Sequence, residues 1–172
     1  MRALFLDRDG VLNVLRPNDY VKHSDELEVL PGVPEAMALL RKRFDLIFIV
    51  TNQQGIGKGL MTVADLDAIH TKLLATIGPV DRIYFCPELE RAHSFRRKPN
   101  IGMALQARHD FPNIRLKESV MVGDSKTDML FGRRCGMTTI LVGNNSNVAH
   151  TDPHLVDYRY ASLLDFAQQS WS

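Results

Sequence analysis

Asp7 and Asp9 stand two residues apart, directly after the apolar run Ala3–Leu6, and Gly10 behind them lets the backbone turn closely. Two carboxylates this near each other either share a cation or hold different protonation states, because like charges push one pKa up. Taken alone, an Asp-x-Asp-Gly is equally an ordinary strand-end turn. A calcium loop is excluded: counting from Asp7, the sixth position, which needs glycine, is Leu12.

A second pair of acids repeats the pattern. Gly123-Asp124 follows the apolar run Ser119–Val122, and Asp128 comes four residues later, at the start of a stretch with helical spacing. Capping of that helix is one use for these acids. Together, however, the two acidic strand ends make an oxygen-rich pocket suited to a hard cation such as Mg2+. Positive charge for a phosphate is at hand in Arg96, Arg97 and Lys98, although a basic turn before Pro99 is also simply well solvated. Thr51-Asn52-Gln53 adds a hydroxyl, amides and backbone donors after Leu46–Val50. The glycine-rich stretch Gln54–Gly59 is not a P-loop, because Gly57-Lys58 lacks both the following Ser/Thr and the four-residue spacer.

These residues need elements to bring them together. Ala3–Asp7, Asp45–Asn52, Arg82–Cys86, Ser119–Asp124 and Thr138–Val142 read as buried strands, rich in Val, Ile, Leu and Phe. Between and after them, Pro34–Arg43, Thr62–Ile77, Ile101–Asp110, Lys126–Cys135 and Leu163–Gln169 read as helices, with Thr62 and Asp65 capping the second and Gly78-Pro79 stopping it. Such alternation predicts an α/β fold with a parallel sheet covered on both faces, whose ligand sits at the carboxyl ends of the strands. The polar sequences after the strands fall there. Gly143 to about Pro153 is expected to be a loop, and residues 1–172 to form a single domain.

Composition narrows the function classes. With 21 Lys+Arg against 20 Asp+Glu the net charge is +1, so no broad field draws the chain to nucleic acid or an anionic membrane. Hydrophobic residues at 45% and charged residues at 24% exclude a disordered or fibrous chain. No apolar run approaches a membrane span, and the start, with four apolar residues before a charge, is too short for a secretory core, so a soluble cytoplasmic protein is expected. Cys86 and Cys135 are expected to be free, packed thiols. The histidines at 23, 70, 109, 150 and 154 show no metal-ligand spacing and are assigned surface or packing roles, and the scattered methionines are read as core filler.

Asp7-Arg8-Asp9-Gly10-Val11-Leu12-Asn13, Thr51-Asn52-Gln53-Gln54-Gly55-Ile56, Arg97-Lys98-Pro99 and Gly123-Asp124-Ser125-Lys126-Thr127-Asp128 resemble, in order and placement, the four motifs of the haloacid dehalogenase superfamily of phosphatases. Tyr20-Val21 and Leu30-Pro31-Gly32-Val33 are similar to the branch that holds heptose bisphosphate and histidinol phosphate phosphatases. The resemblance implies a Rossmann-like three-layer sandwich with no large cap domain. It further implies an Mg2+-dependent phosphomonoesterase that acts through a phospho-aspartate. In that scheme Asp7 is the nucleophile and Asp9 the general acid and then base, partly protonated near neutrality. Asp7, the Asp9 backbone carbonyl and Asp124 hold the metal, Thr51 and Lys98 hold the phosphoryl oxygens, and Asp128 orients Lys98. Arg97, with Asn52 and Gln53, meets the substrate.

The Gly55–Leu60 stretch resembles the heptose bisphosphate branch more than the histidinol one, which implies D-glycero-D-manno-heptose 1,7-bisphosphate, losing its 7-phosphate, ahead of histidinol phosphate or another small sugar phosphate. A receiver-like signalling domain and a nucleic-acid 3′-phosphatase are weaker rivals. The first would not carry an acid at Asp9, and the second would show an interleaved basic and aromatic stripe. Relatives in the branch carry a zinc loop beginning Cys-x-His and ending Cys-x-Cys. Here Cys86 matches its first position, but Glu88, Ser94 and Arg96 replace the others, and His93 alone cannot complete a four-ligand site. No structural zinc is expected, and a monomer is favoured.

Overall fold

The computed structural model describes residues 1–144 and 150–170. Apolar runs too short for helices pair into one six-stranded parallel sheet: β1 (Ala3–Leu6), β2 (Leu46–Asn52), β3 (Arg82–Cys86), β4 (Val120–Gly123), β5 (Thr138–Val142) and β6 (Tyr158–Tyr160), in the order β3-β2-β1-β4-β5-β6. Five of these are the expected strands, two with the expected bounds and three trimmed by one or two residues. The sixth was not anticipated: Tyr158-Arg159-Tyr160 is short and half exposed at the sheet edge, so it carries no apolar run. The expected loop from Gly143 includes 145–149, which lie outside the described residues.

Both sheet faces are buried, as near-continuous apolar strands require. Leu4, Leu6, Ile47 and Ile49 pack under α1 (Val33–Leu40), α3 (Val63–Ile77) and α6 (Leu163–Gln168). Alternate side chains, Phe5, Phe48 and Val50, face the other way, against Met103 of α4 (Gly102–Asp110) and Phe131 of α5 (Lys126–Arg134). This is the three-layer α/β arrangement with no large cap. The helix α2 (Gln54–Gly57), a single turn with two glycines, was not expected from propensity. The capping box on α3 is present: the Thr62 side chain accepts from the Asp65 amide at 3.1 Å, and the Thr62 amide donates back at 2.8 Å.

Register decides where the chemistry falls. Leu6 lies opposite Ile49 of β2 and Val122 of β4, and the Asp7 amide donates to the Val122 carbonyl at 3.0 Å. The first residues beyond β1 and β4 therefore meet at one edge, with Thr51 and Asn52 of β2 beside them.

Candidate active site

Asp7, Asp124 and Asp128, all buried, bring carboxylate oxygens within 4.8 Å of one another. Three negative charges at that separation need compensation. Lys98, itself only 3% exposed, supplies part of it: Nζ donates to Asp7 Oδ1 at 2.8 Å and to Asp128 Oδ1 at 2.7 Å. Burial acts against the ammonium, but the charges of Asp128 and Asp7 outweigh it and raise the Lys98 pKa, so the side chain stays protonated. For Asp7 the balance runs the other way. Burial and the Asp128 charge push its carboxyl up to about 7 against the pull of Lys98.

Asp128 has little left to give a ligand. Its Oδ2 accepts from the Asp124 amide at 3.2 Å and the Ser125 hydroxyl at 3.0 Å, which ties it to the start of α5, while Oδ1 holds Lys98. Of the three carboxylates, Asp128 is thus the one most fully committed within the protein, to Lys98 and to the start of α5. Two glycines make room for them. A Cβ on Gly10, which has φ +89, would lie 1.9 Å from Asp124 Oδ2, and one on Gly123 would lie 2.2 Å from the Asp128 Cβ. The cradle and the all-oxygen donor set fit a small hard cation.

Asp9 faces elsewhere. Its Oδ1 accepts from Arg8 Nη2 at 2.9 Å and Asn13 Nδ2 at 3.0 Å, and its Oδ2 from Gln53 Nε2 at 3.0 Å. Burial alone would raise its pKa, but the Arg8 charge and the bonds from Asn13, Arg8 and Gln53 outweigh burial and lower it. The expectation of a partly protonated Asp9 is therefore corrected: one guanidinium and two side-chain amides hold its oxygens, and it rests as a carboxylate.

The remaining expected residues divide by what they touch. Asn52 is taken up as a clamp on the lysine's backbone: its Nδ2 donates to the Lys98 carbonyl at 3.0 Å, and the Lys98 amide donates to its Oδ1 at 3.0 Å. Gln53 bridges Asp9 and Thr51, donating to Thr51 Oγ1 at 2.8 Å, which leaves the threonine's own proton available to an incoming oxygen. Thr51 is itself buried. Arg97 lines the opening, and its buried Nη1 has no hydrogen-bond partner.

These groups open into a cavity of about 560 Å³, within the usual range for small-molecule sites. One wall is the segment after β1, including Arg16 and Tyr20, and the other runs from Glu90 to Asn100. Arg16 pairs with Glu26, and Tyr20 accepts at its hydroxyl from Gln54 Nε2 at 3.0 Å. Sequence reasoning missed Arg134, exposed at the end of α5, which lines the cavity and donates to the Pro99 carbonyl at 3.3 Å. Its only signal was basic charge six residues beyond the acid at the helix start. In the segment where the zinc loop would lie, the Cys86 thiol donates to Glu88 at 2.9 Å, and Glu88 pairs with Arg96.

A parallel sheet that sets a lysine-paired aspartate at the end of its first strand, with further carboxylates at the end of the neighbouring strand, defines a class of phosphoryl-transfer proteins. Residues 95–165 match the family model for HAD-hydrolase-like proteins. A D-glycero-alpha-D-manno-heptose-1,7-bisphosphate 7-phosphatase of Mycobacterium bovis is 40% identical over 169 residues, covering 96% of this chain and 89% of the relative. The D-glycero-beta-D-manno-heptose-1,7-bisphosphate 7-phosphatase of Escherichia coli is 34% identical, covering 96% and 92%. Among solved structures, the D,D-heptose 1,7-bisphosphate phosphatase of B. bronchiseptica, complexed with magnesium and phosphate, superposes with a TM-score of 0.88 at 32% identity, covering 98% of this chain and 97% of that one. The chain belongs to the haloacid dehalogenase superfamily and is a phosphoric monoester hydrolase.

Proposed function

We propose that this enzyme removes the 7-phosphate of D-glycero-D-manno-heptose 1,7-bisphosphate through a phospho-aspartate on Asp7, with Mg2+ held by Asp7, Asp124 and the backbone carbonyl of Asp9. The observation that carries the reading is the buried Asp7–Lys98–Asp128 chain beside Asp124. It provides a nucleophile, a fixed cation for the transferred oxygens and carboxylates for a metal in one place. The named relatives support the sugar bisphosphate. So do two guanidinium groups at the cavity, Arg97 and Arg134, with no ion pair among the described residues, since a second phosphate needs its own cations.

Bound Mg2+ would offset the repulsion between the Asp7 carboxylate and the phosphate. Asp7 attacks phosphorus, forming the acyl phosphate bond as the ester P–O bond breaks. Lys98 and the Thr51 hydroxyl hold the phosphoryl oxygens, and Asp128 keeps the lysine aimed. Asp9 gives its proton to the leaving sugar oxygen and, as the resulting carboxylate, takes one from the water that attacks the phosphorus in the second step, as the acyl phosphate O–P bond breaks and frees inorganic phosphate and the Asp7 carboxylate. Since Asp9 rests ionised, it must first gain that proton, and the negative charge of an arriving phosphate favours the neutral form.

The test is phosphate release, with Mg2+ and with chelator, from the α and β anomers of the heptose 1,7-bisphosphate, histidinol phosphate, other sugar phosphates and a 3′-phosphorylated oligonucleotide. Mg2+-dependent release with the highest kcat/KM on a heptose anomer is expected. A higher kcat/KM on histidinol phosphate or the oligonucleotide contradicts the substrate, and no Mg2+-dependent release from any member contradicts the activity.

A further inference from the structure

His70 lies on the inward face of α3, among Leu66, Ile69 and Leu73, where every other buried residue of that helix is apolar. Its Nε2 is 3.2 Å from Nη1 of Arg8, the residue between the two catalytic aspartates, whose side chain is fully buried. A buried guanidinium must be paired, because removing an uncompensated charge from water is costly. Arg8 has two such contacts: its Nη2 donates to Asp9 Oδ1 at 2.9 Å, its Nη1 meets His70, and its Nε has no partner. Since a guanidinium only donates, His70 Nε2 must be the bare, accepting nitrogen and the ring proton sits on Nδ1. Burial and the Arg8 charge push the His70 pKa down to about 3, which agrees with a ring that stays neutral.

We propose that His70 is a positioning residue for Asp9, fixing through Arg8 the direction in which the Asp9 carboxyl faces the leaving oxygen. Of the three donors to Asp9, Asn13 lies four residues on in the same turn and Gln53 follows β2, so each is anchored by its own loop. Arg8 points into the core and, among the described residues, is steadied at its far edge by His70 alone. Without that acceptor the guanidinium has two unpartnered edges and is free to turn, taking Asp9 Oδ1 with it. The inference rests on the reading of Asp9 as the general acid.

The experiment uses a series of substituted phenyl phosphates and reads the slope of log(kcat/KM) against leaving-group pKa. A slope is independent of the fraction of enzyme that is folded, so a variant that folds poorly still reports. In His70→Leu the slope should steepen toward that of Asp9→Asn, with the poorest leaving group losing about tenfold relative to the p-nitrophenyl member, a part of the roughly 10²–10⁴-fold that general acid catalysis supplies, because His70 acts only through Arg8. His70→Gln, whose side-chain oxygen can still accept, should return most of the wild-type slope. A wild-type slope in His70→Leu, or a His70→Gln slope as steep as that of His70→Leu, overturns the proposal. If Asp9→Asn itself keeps the wild-type slope, the acid assignment fails first and the role of His70 falls with it.

Discussion

Asp7 and Asp9 are two residues apart and are driven in opposite directions, one carboxyl up to about 7 by burial and the Asp128 charge, the other down by Arg8 and its amide neighbours. Two carboxylates with separated proton affinities can take separate roles. The shift at Asp7 has a consequence for stability in the metal-free protein. Its folded pKa, about 7, lies above the ordinary 3.8, so its contribution is fully present below about pH 4 and is lost as pH rises through 7. A cation that binds only the ionised form should reverse this loss. In thermal melts, Mg2+ should therefore raise Tm more at pH 8 than at pH 5, and Asp7→Asn should largely abolish that difference; an equal Mg2+ effect at both pH values would count against Asp7 as a ligand. The pair itself was legible in the sequence, as two acids closing an apolar run. Their ionisation was not, because Arg8 and Gln53 reach Asp9 only in the fold, and His70, sixty-two residues from Arg8, carried no spacing that marked it.

The strands set the site by ending together. β1 ends at Leu6 opposite Val122, one residue before β4 ends at Gly123, so the residues that follow the two strands are brought to the same edge. That much follows from apolar runs bounded by polar residues, which is why the bounds of β3 and β5 read correctly and β6, a polar edge strand of three residues, did not. Likewise the four-residue α2 could not be read, since two glycines argue against a helix and only its place after β2 makes one. Gly10 shows how tightly the strand ends meet. Gly10→Ala would set a Cβ 1.9 Å from Asp124 Oδ2 on a backbone with φ +89, so Asp124 or the turn must move. A displacement of about 1 Å at a reacting centre costs on the order of 10²-fold, so kcat/KM should fall by about that much while circular dichroism still reports a folded protein. Activity within twofold of wild type would show that Asp124 is not held where the site needs it.

At the scale of the whole molecule, the two apolar layers make a stiff platform, and the cavity is walled by segments of the core domain itself, after β1 and after β3. No helix among the described residues is long and apolar enough to cross a membrane. Phe48 is fully buried and stacks near Phe5 and Phe111, with ring centroids 5.2 Å away in each case, so it bridges β1, β2 and the end of α4. Phe48→Ala should cost about 3–5 kcal/mol, measured by denaturant unfolding; a loss under about 1 kcal/mol would mean the layer beneath the site can collapse around the gap. The most direct test of the chemistry built on this platform is to catch the phosphoryl group on the protein. Asp9→Asn keeps the nucleophile but slows the second step, so rapid acid quench during turnover of p-nitrophenyl phosphate should leave a phosphoryl adduct on the peptide that carries Asp7, absent when Asp7→Asn is added. Phosphate release with no adduct on that peptide, or an adduct that survives Asp7→Asn, would contradict it.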